Sequence, residues 1–232
     1  MNPYIDINRK IPDRRLNFYI NRRKFVLEYI KNKDDIKIMI IGEAPGLDGC
    51  GYSGIGFTAE YNAINHLQLK NYHNTAGNLQ KEDSADYIYS ILEEAALKKC
   101  TSIKDFSRNL YFTNSCLCVP LSDTTCTSIT KPHKIMKQNC RYYLLKQIEY
   151  TKPTVVICLG KIALETMNRM YNFAPKKMNI TDYIRSSTTF RIEDMEIIPE
   201  LHPSPINKYR KQTKDLYLGI VDRLCDYICK YT

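Results

Sequence analysis

Short, unbroken runs of apolar residues recur along the chain, and stretches of helical spacing separate them. Four of these runs are predicted to form strands, at residues 36–41, 110–113, 155–159 and 195–198. A short continuous apolar run is typical of a strand that is buried on both faces of a sheet. The pattern therefore predicts several buried strands joined by helices.

Two of the intervening stretches have especially clear helical spacing. Residues 84–99 repeat their apolar side chains with the period of a helix, and Asp83 or Ser84 can cap its start. Pro132 suits the first turn of another helix. The apolar residues of that second helix are Ile135, Met136, Tyr143, Leu144 and Ile148.

Two further helices are predicted, one through residues 163–167 and one over residues 214–231. Strands separated by helices favour a mostly parallel sheet with helices on both faces. The sequence therefore predicts an α/β fold with three layers, α/β/α, and a central, mostly parallel four-stranded sheet. Neither an internal repeat nor a low-complexity linker occurs, so we expect a single domain over residues 1–232. Its start, at about residues 1–30, is predicted to be a basic helical extension.

Basic residues exceed acidic ones, and much of the excess is clustered. The 34 Lys and Arg residues against 25 Asp and Glu residues give a formal charge of +9. One cluster comprises Arg9, Lys10, Arg14, Arg15, Arg22, Arg23 and Lys24, and another comprises Lys208, Arg210, Lys211 and Lys214. Such clusters favour a phosphate-bearing partner, although a solvated basic surface is the alternative for the first cluster.

The chain has no membrane signature in its sequence. No apolar run approaches the roughly 20 residues of a membrane span, and the N-terminus is polar. We therefore expect an intracellular protein of the cytoplasm or nucleoid, or of the nucleus in a eukaryote, with no membrane partner.

Residues with useful chemistry directly follow the predicted strands. Glu43, Asn114, Gly160 and His202 follow the first, second, third and fourth strand in turn. Because the carboxyl ends of parallel strands lie along one edge of a sheet, we expect these residues to converge on one pocket. Phe57 comes after several glycines that follow the first strand, and its ring is a flat surface on which a ligand can stack.

Each of these residues also has a plain structural interpretation. Taken alone, the turn with Glu43 is an ordinary connection from strand to loop, and Phe57 is a core residue. A buried Asn114 can simply satisfy loop backbone, and a His in a turn is usually a surface residue. The functional interpretation depends on finding all of them together.

Five motifs, taken in order, resemble the uracil-DNA glycosylase superfamily over roughly residues 36–222. They are Gly-Glu-Ala-Pro-Gly, Gly-x-x-Phe, Thr-Asn-x-x-x-Cys-x-Pro, Cys-Leu-Gly-Lys-x-Ala and His-Pro-Ser-Pro. The first motif is most similar to the family 4 (thermophile-type) enzymes. The spacing from Gly42 to Phe57 also resembles the single-strand-selective monofunctional enzymes, and His-Pro-Ser-Pro-Ile is similar to the family 1 enzymes. The resemblance is therefore to the superfamily, with family 4 the closest.

The resemblance implies a monofunctional DNA repair glycosylase that flips uracil out of DNA and hydrolyses its N-glycosidic bond. Phe57 would stack on the uracil, and Asn114 would bind its O4 and N3–H edge. Glu43 would activate the attacking water, and His202 would donate a hydrogen bond to uracil O2. Gly42 and Ala44 would complete the substrate pocket, and Ala44 stands where family 1 has an aspartate.

The same resemblance predicts the DNA contacts. Ser204 would hold a flanking phosphate, and Ile206 falls where family 1 enzymes place an apolar wedge. Lys208, Arg210 and Lys211 would bind backbone phosphates. The predicted partner is DNA containing uracil, and we expect a monomer.

Gly46 stands where family 1 enzymes have the tyrosine that excludes the methyl group of thymine. Loss of that ring would leave room beside C5 of the base. The sequence therefore predicts weaker discrimination against 5-substituted uracils, such as 5-hydroxymethyluracil.

The nine cysteines raise the question of a metal cluster, since family 4 enzymes hold a [4Fe-4S] cluster through four cysteines. Cys118 and Cys140 match two of these positions, but no cysteine precedes Cys50. Cys116 and Cys126 lie near Cys118 and could complete a set, whereas buried core thiols are the alternative. The sequence thus predicts no required cofactor and no metal ligand, and leaves a [4Fe-4S] cluster open.

Two other functions compete with a glycosylase. A non-catalytic DNA-binding module could keep the same fold, but it would have no need of both Glu43 and His202. A flavodoxin-like or Rossmann-like enzyme would need a Gly-x-Gly-x-x-Gly turn after the first strand, and that turn holds Pro45 instead.

Overall fold

The computed structural model describes residues 13–47, 49–70, 79–121, 129–175, 179–204 and 206–232. For residues 13–19, 206 and 208 it describes the backbone only. The predicted basic extension therefore lies partly outside the described residues.

A five-stranded sheet forms the centre of the described chain. Its strands are β1 (Ile38–Gly42), β2 (Leu110–Asn114), β3 (Val155–Leu159), β4 (Phe190–Ile192) and β5 (Met195–Glu200). They lie in the order β2-β1-β3-β5-β4, and all neighbours are parallel except β4 and β5. The α/β fold and the mostly parallel sheet are confirmed.

The predicted number of four strands is wrong, because β4 is an additional edge strand. Its three residues form a tight antiparallel hairpin with the start of β5, and they are only partly buried. An arginine in its centre breaks the apolar run. Edge strands are commonly short and carry charge, which discourages pairing with other chains, so this one lacks the signal of a buried strand.

Eleven α-helices and one short 3₁₀ helix, Ser107–Asn109, accompany the sheet in the described residues. The α-helices are α1 (Asp13–Lys31), α2 (Cys50–Ser53), α3 (Glu60–Asn65), α4 (Asp83–Lys98), α5 (Ile103–Phe106), α6 (Lys134–Thr151), α7 (Lys161–Tyr171), α8 (Ile180–Arg185), α9 (Ile206–Tyr209), α10 (Lys214–Leu218) and α11 (Ile220–Tyr231). The predicted final helix is two helices, since Gly219 interrupts it.

Two details of the helix ends differ from prediction. Glu82, and neither Asp83 nor Ser84, occupies the N-cap position of α4, and no side-chain hydrogen bond caps this end. Pro132 precedes the N-cap His133 of α6, so it lies just outside the first turn. Both are shifts of one or two residues.

The helices cover both faces of the sheet. α4 packs against α11, and α6 packs against α7, which also contacts β3. Because crossovers between parallel strands are right-handed, the opposite directions of β1-to-β2 and β2-to-β3 place α4 and α6 on opposite faces. The chain thus changes direction between β1 and β3, and ligands of such sheets bind at the carboxyl ends of those strands.

The strands β1, β2 and β3 are buried along their whole length, as their unbroken apolar runs predict. In the second predicted helix, Met136, Leu144 and Ile148 are buried, while Ile135 and Tyr143 face solvent. Within the described ranges, no helix combines the length and apolar character needed to cross a bilayer.

Candidate active site

A cleft of about 1240 Å³ opens at the carboxyl edge of the sheet. Its lining includes Glu43, Asn114, Gly160 and His202, one from each strand end that the sequence singled out. Phe57, from the loop after α2, lines the same cleft. The fold therefore brings the predicted acid, ring, amide and imidazole together in one place.

Backbone hydrogen bonds hold the turn that carries Glu43. The Gly42 carbonyl accepts from the Ser115 N–H at 2.8 Å and from the Ser115 hydroxyl at 2.9 Å. The Cys116 N–H donates to the Glu43 carbonyl at 2.9 Å, which extends the pairing of β1 with β2 beyond the strands. The position of Glu43 is thus set by rigid neighbours and does not depend on its own side chain.

The Glu43 carboxyl group is half-buried, and burial raises its pKa. The positive charges of Lys131 and Lys137 oppose that rise. Within the part of the chain that the structure describes, no ion pair or side-chain hydrogen bond engages this carboxylate. It is available to accept a proton or to orient a water molecule.

Gly42 allows the ring of Phe57 and the amide of Asn114 to approach the end of β1. A Cβ atom at residue 42 would lie 2.5 Å from both Phe57 Cζ and Asn114 Oδ1, which is too close for either to stay. Phe57 itself has a φ of 51°, a left-handed conformation that is unusual for a large side chain. Unfavourable backbone conformations of this kind cluster at ligand-binding sites.

Asn114 is buried, with 5% of its surface exposed, and its amide has a defined neighbour. Its Nδ2 group donates to Cys50 Sγ at 3.6 Å. Burial raises the pKa of the Cys50 thiol to about 12, so the thiol is neutral. The amide is therefore oriented with its donor side toward Cys50 and its oxygen toward Gly42.

The His202 ring contacts the Phe57 ring, with 5.7 Å between ring centroids and 42° between ring planes. Burial lowers the pKa of His202 to about 4, so its imidazole is neutral at physiological pH. The Asn207 amide donates to the His202 carbonyl at 2.7 Å, and the Thr213 hydroxyl donates to the Asn207 carbonyl at 2.9 Å. These bonds secure the loop after β5.

The last residue of β5, Glu200, is fully buried and anchors the start of that loop. Arg223 of α11 donates to both of its carboxylate oxygens, at 2.7 Å and 2.8 Å. The Leu201 N–H donates to the same carboxylate at 2.7 Å. This pair fixes the direction in which the chain leaves the sheet, two residues before His202.

The structure describes the side chains of three of the five residues that are predicted to contact DNA. Ser204 and Arg210 line the cleft, and Lys211 is exposed next to Arg210. Ile206 and Lys208 lie in α9, but their side chains fall outside the described residues. Ala44 also lines the cleft and packs beside Cys116 and Cys140.

Three of the four cysteines considered for a cluster lie close together. Cys116 Sγ is 3.8 Å from Cys140 Sγ, the Leu117 N–H donates to Cys140 Sγ at 3.3 Å, and Cys118 belongs to the same buried cluster. Within the part of the chain that the structure describes, no group of three or more His, Cys, Asp or Glu side chains has the geometry to hold a metal ion. Cys126 lies outside the described residues, so those that are described do not complete the four-cysteine set.

The room that the sequence predicts beside Gly46 is occupied. A Cβ atom at Gly46 would overlap Glu82 Oε1, so the carboxylate of Glu82 fills that space. Glu82, Cys50, Lys131 and Asn207 are cleft residues that the sequence analysis did not single out. Three of them lie in loops or a short helix without a strand-end signal, and only Asn207 follows a recognisable motif.

Comparison with known proteins identifies the family. The sequence pattern of the uracil DNA glycosylase superfamily matches residues 30–225. The chain belongs to the uracil-DNA glycosylase superfamily.

The fold of this chain is similar to the crystal structure of wild-type SMUG2 from Pedobacter heparinus. It shares 18% sequence identity and a TM-score of 0.53, over 84% of this chain and 76% of the other. At an identity this low, the structural similarity shows a common fold and nothing about activity. No curated protein matches the chain. Assignment to family 4 within the superfamily stays a prediction.

Proposed function

We propose that the protein removes uracil from DNA by hydrolysing its N-glycosidic bond and leaves an abasic site. The observation that carries the proposal is the convergence of an available carboxylate, Glu43, with Phe57, Asn114 and His202 around one cleft. Membership of the superfamily supports DNA as the partner. A base inside a duplex cannot reach such a cleft, so the nucleotide must be flipped out or come from a single strand.

Phe57 and Asn114 would select the base. The Phe57 ring provides a stacking surface, and the Asn114 amide offers a donor and an acceptor side by side. Uracil presents an acceptor at O4 next to a donor at N3–H, which matches that amide. Cytosine presents a donor at N4 next to an acceptor at N3, so the same amide orientation rejects it.

Glu43 and His202 would perform the chemistry. As the bond between C1′ and N1 breaks, its electron pair leaves with the uracil, and the sugar becomes cationic. Glu43 stabilises that cation and takes a proton from the water molecule that attacks C1′, by analogy with other glycosidic hydrolysis. Neutral His202 donates a hydrogen bond to O2, where negative charge develops. Every step uses a side chain of the chain itself.

Basic residues around the cleft would hold the DNA backbone. Arg210 and Ser204 both line the cleft, and Lys131 lies on the wall near Glu43. These groups would contact phosphates on both sides of a flipped nucleotide. Binding would therefore weaken as salt concentration rises. This activity would take place inside the cell, where DNA is.

The decisive test uses a labelled oligonucleotide that contains one deoxyuridine, followed by alkali to cleave abasic sites. After treatment with the wild-type protein, alkali should cleave the single-stranded substrate, the duplex or both, and after treatment with Glu43→Gln it should cleave far less. If the wild type leaves uracil intact in every substrate but still binds the oligonucleotide, the chain is a binding module with a glycosylase fold.

A further inference from the structure

The carboxylate of Glu82 forms part of the cleft wall, in contact with the loop that follows Glu43. A Cβ atom at Gly46 would overlap Glu82 Oε1, and a Cβ atom at Gly49 would overlap Oε2. The carboxylate therefore packs directly on the backbone of this loop, which is possible only because both residues lack side chains. Glu82 thus belongs to the same wall as the catalytic turn, although it is far from it in sequence.

Cys50 connects this carboxylate to the residue that would read the base. Its thiol accepts from Asn114 Nδ2 at 3.6 Å. Glu82 Oε2 lies against Gly49, the residue directly before Cys50, so the carboxylate reaches the backbone next to this thiol. The Asn114 donor, the Cys50 sulfur and the Glu82 carboxylate therefore follow one another along the wall.

The orientation of Asn114 determines which edge of a bound uracil meets this wall. Its Nδ2 group lies toward Cys50, and its Oδ1 atom lies toward Gly42. With O4 accepting from Nδ2 and N3–H donating to Oδ1, the C5 atom comes next to O4 on the side of Cys50. A substituent on C5 then points toward Cys50 and Glu82.

We propose that Glu82, with Cys50 beside it, reads the substituent on C5 of the base and favours one that donates a hydrogen bond. This proposal rests on the proposed function, since it concerns the same pocket. The 5-hydroxymethyl group can donate to the carboxylate, and hydrogen bonds to charged groups are among the strong ones. The methyl group of thymine would remove water from the carboxylate and offer no hydrogen bond in return.

A purely structural role for Glu82 makes a different prediction. If the carboxylate only supports the loop at Gly46 and Gly49, its loss disturbs Glu43 and lowers the excision of every base by a similar factor. A role in reading C5 changes the ratios between bases instead. The ratios of kcat/KM therefore separate the two roles, whatever happens to the absolute rates.

The experiment measures kcat/KM on single-stranded oligonucleotides that contain uracil, 5-hydroxymethyluracil or thymine at one position. Glu82→Ala should lower the ratio of 5-hydroxymethyluracil to uracil by about tenfold or more, as expected for the loss of a hydrogen bond to a charged group. It should raise the ratio of thymine to uracil. Glu94→Ala, on a partly exposed part of α4 that does not line the cleft, is the matched control and should leave both ratios unchanged.

A second variant keeps the proposal testable if Glu82→Ala does not fold. Cys50→Ala removes the sulfur beside C5 and should raise the excision of both 5-substituted bases relative to uracil. Ratios within twofold of wild type in both variants would overturn the role of this wall and leave the proposed function intact. A wild-type protein that removes no uracil at all would overturn both.

Discussion

Glu43 and Glu200 are two glutamates at the carboxyl edge of the same parallel sheet, and their surroundings are opposite. Glu200 is fully buried, and the guanidinium of Arg223 binds both of its oxygens. Glu43 is half-buried in the cleft. The positive charges of Lys131 and Lys137 lower its pKa without forming an ion pair with it. One carboxylate is committed to an ion pair, and the other has none with the side chains that the structure describes.

The difference shows that position at a strand end does not by itself make a glutamate catalytic. A carboxylate that already accepts several strong hydrogen bonds has little capacity left for a proton or a water molecule. A carboxylate whose pKa burial raises, and which no described side chain engages, keeps that capacity. We therefore expect substitution of Glu43 to affect catalysis, and substitution of Glu200 to affect stability.

The largest expected effect is that of Glu43→Gln on uracil excision. The amide cannot take a proton from water or offset the cationic sugar as a carboxylate can. The rate constant for excision should fall by roughly 10²–10⁴-fold, the usual contribution of a positioned acid or base. Single-turnover cleavage of the deoxyuridine oligonucleotide measures it, and thermal denaturation should show a melting temperature close to wild type. Retention of more than a tenth of the rate would contradict the assigned role.

Glu200→Gln should have the opposite profile. It leaves the Arg223 charge without its partner, and we expect the free energy of unfolding to fall by about 2–3 kcal/mol. This is less than the cost for fully buried pairs, because the Arg223 side chain is 26% exposed. Urea denaturation measures the change, and excision well below the melting temperature should stay within a few-fold of wild type.

The double variant Glu200→Leu, Arg223→Met is the control for the ion pair. It removes both charges, so it should recover much of the stability that Glu200→Gln loses. If the double variant is as unstable as the sum of its single variants, the pair is not the source of the effect.

His202, one residue beyond the Leu201 that Glu200 anchors, should make stability depend on pH. Burial lowers its pKa to about 4, below the ordinary value of 6.5. Between these values the unfolded chain binds a proton that the folded protein does not, so stability falls as pH decreases from about 6.5 toward 4. The contribution should be about 1–2 kcal/mol, reduced because the side chain is only half-buried.

Denaturation of the wild type and of His202→Gln between pH 4 and pH 8 measures this contribution, since the difference cancels the other titrating groups. The stability of the variant should depend less on pH in this range. Parallel curves for the two proteins would show that His202 is not held neutral by the fold.

The smallest expected effect is that of the exposed basic residues after β5. Arg210→Gln and Lys211→Gln should each weaken binding to an undamaged oligonucleotide a few-fold. Each should also reduce the slope of log K against log salt by about one phosphate contact. The control is Lys99→Gln, at the end of α4 that lies away from the cleft, and it should leave the slope unchanged. Fluorescence anisotropy at several salt concentrations provides the measurement.

Much of the fold could be predicted because its strands are buried on both faces. β1, β2 and β3 appear in the sequence as continuous apolar runs, and their observed bounds differ from the prediction by at most two residues. β4 could not be predicted in this way, since an edge strand needs few apolar residues. The helix break at Gly219 could not be predicted either, because the apolar spacing continues across it.

The candidate site was predictable where its residues directly follow strands. Glu43, Asn114 and His202 fall at the edge of a parallel sheet whatever the loops do, because strand direction and order place them there. Glu82 was not predictable, and its position changes the expectation at Gly46 from open space to a charged wall. Its contact depends on how two loops cross, which no periodic pattern along the chain records.

By itself, the sequence determined the mostly parallel α/β architecture and the motifs of the superfamily. It also determined that chemically useful residues lie where strands end. The tertiary structure alone decided which carboxylate is neutralised by Arg223, which one stays available, and which side chains line the wall beside Asn114. Burial and periodicity are local properties that the order of residues encodes directly. Partners that meet across loops depend on packing of the whole domain, where many weak contacts select one arrangement.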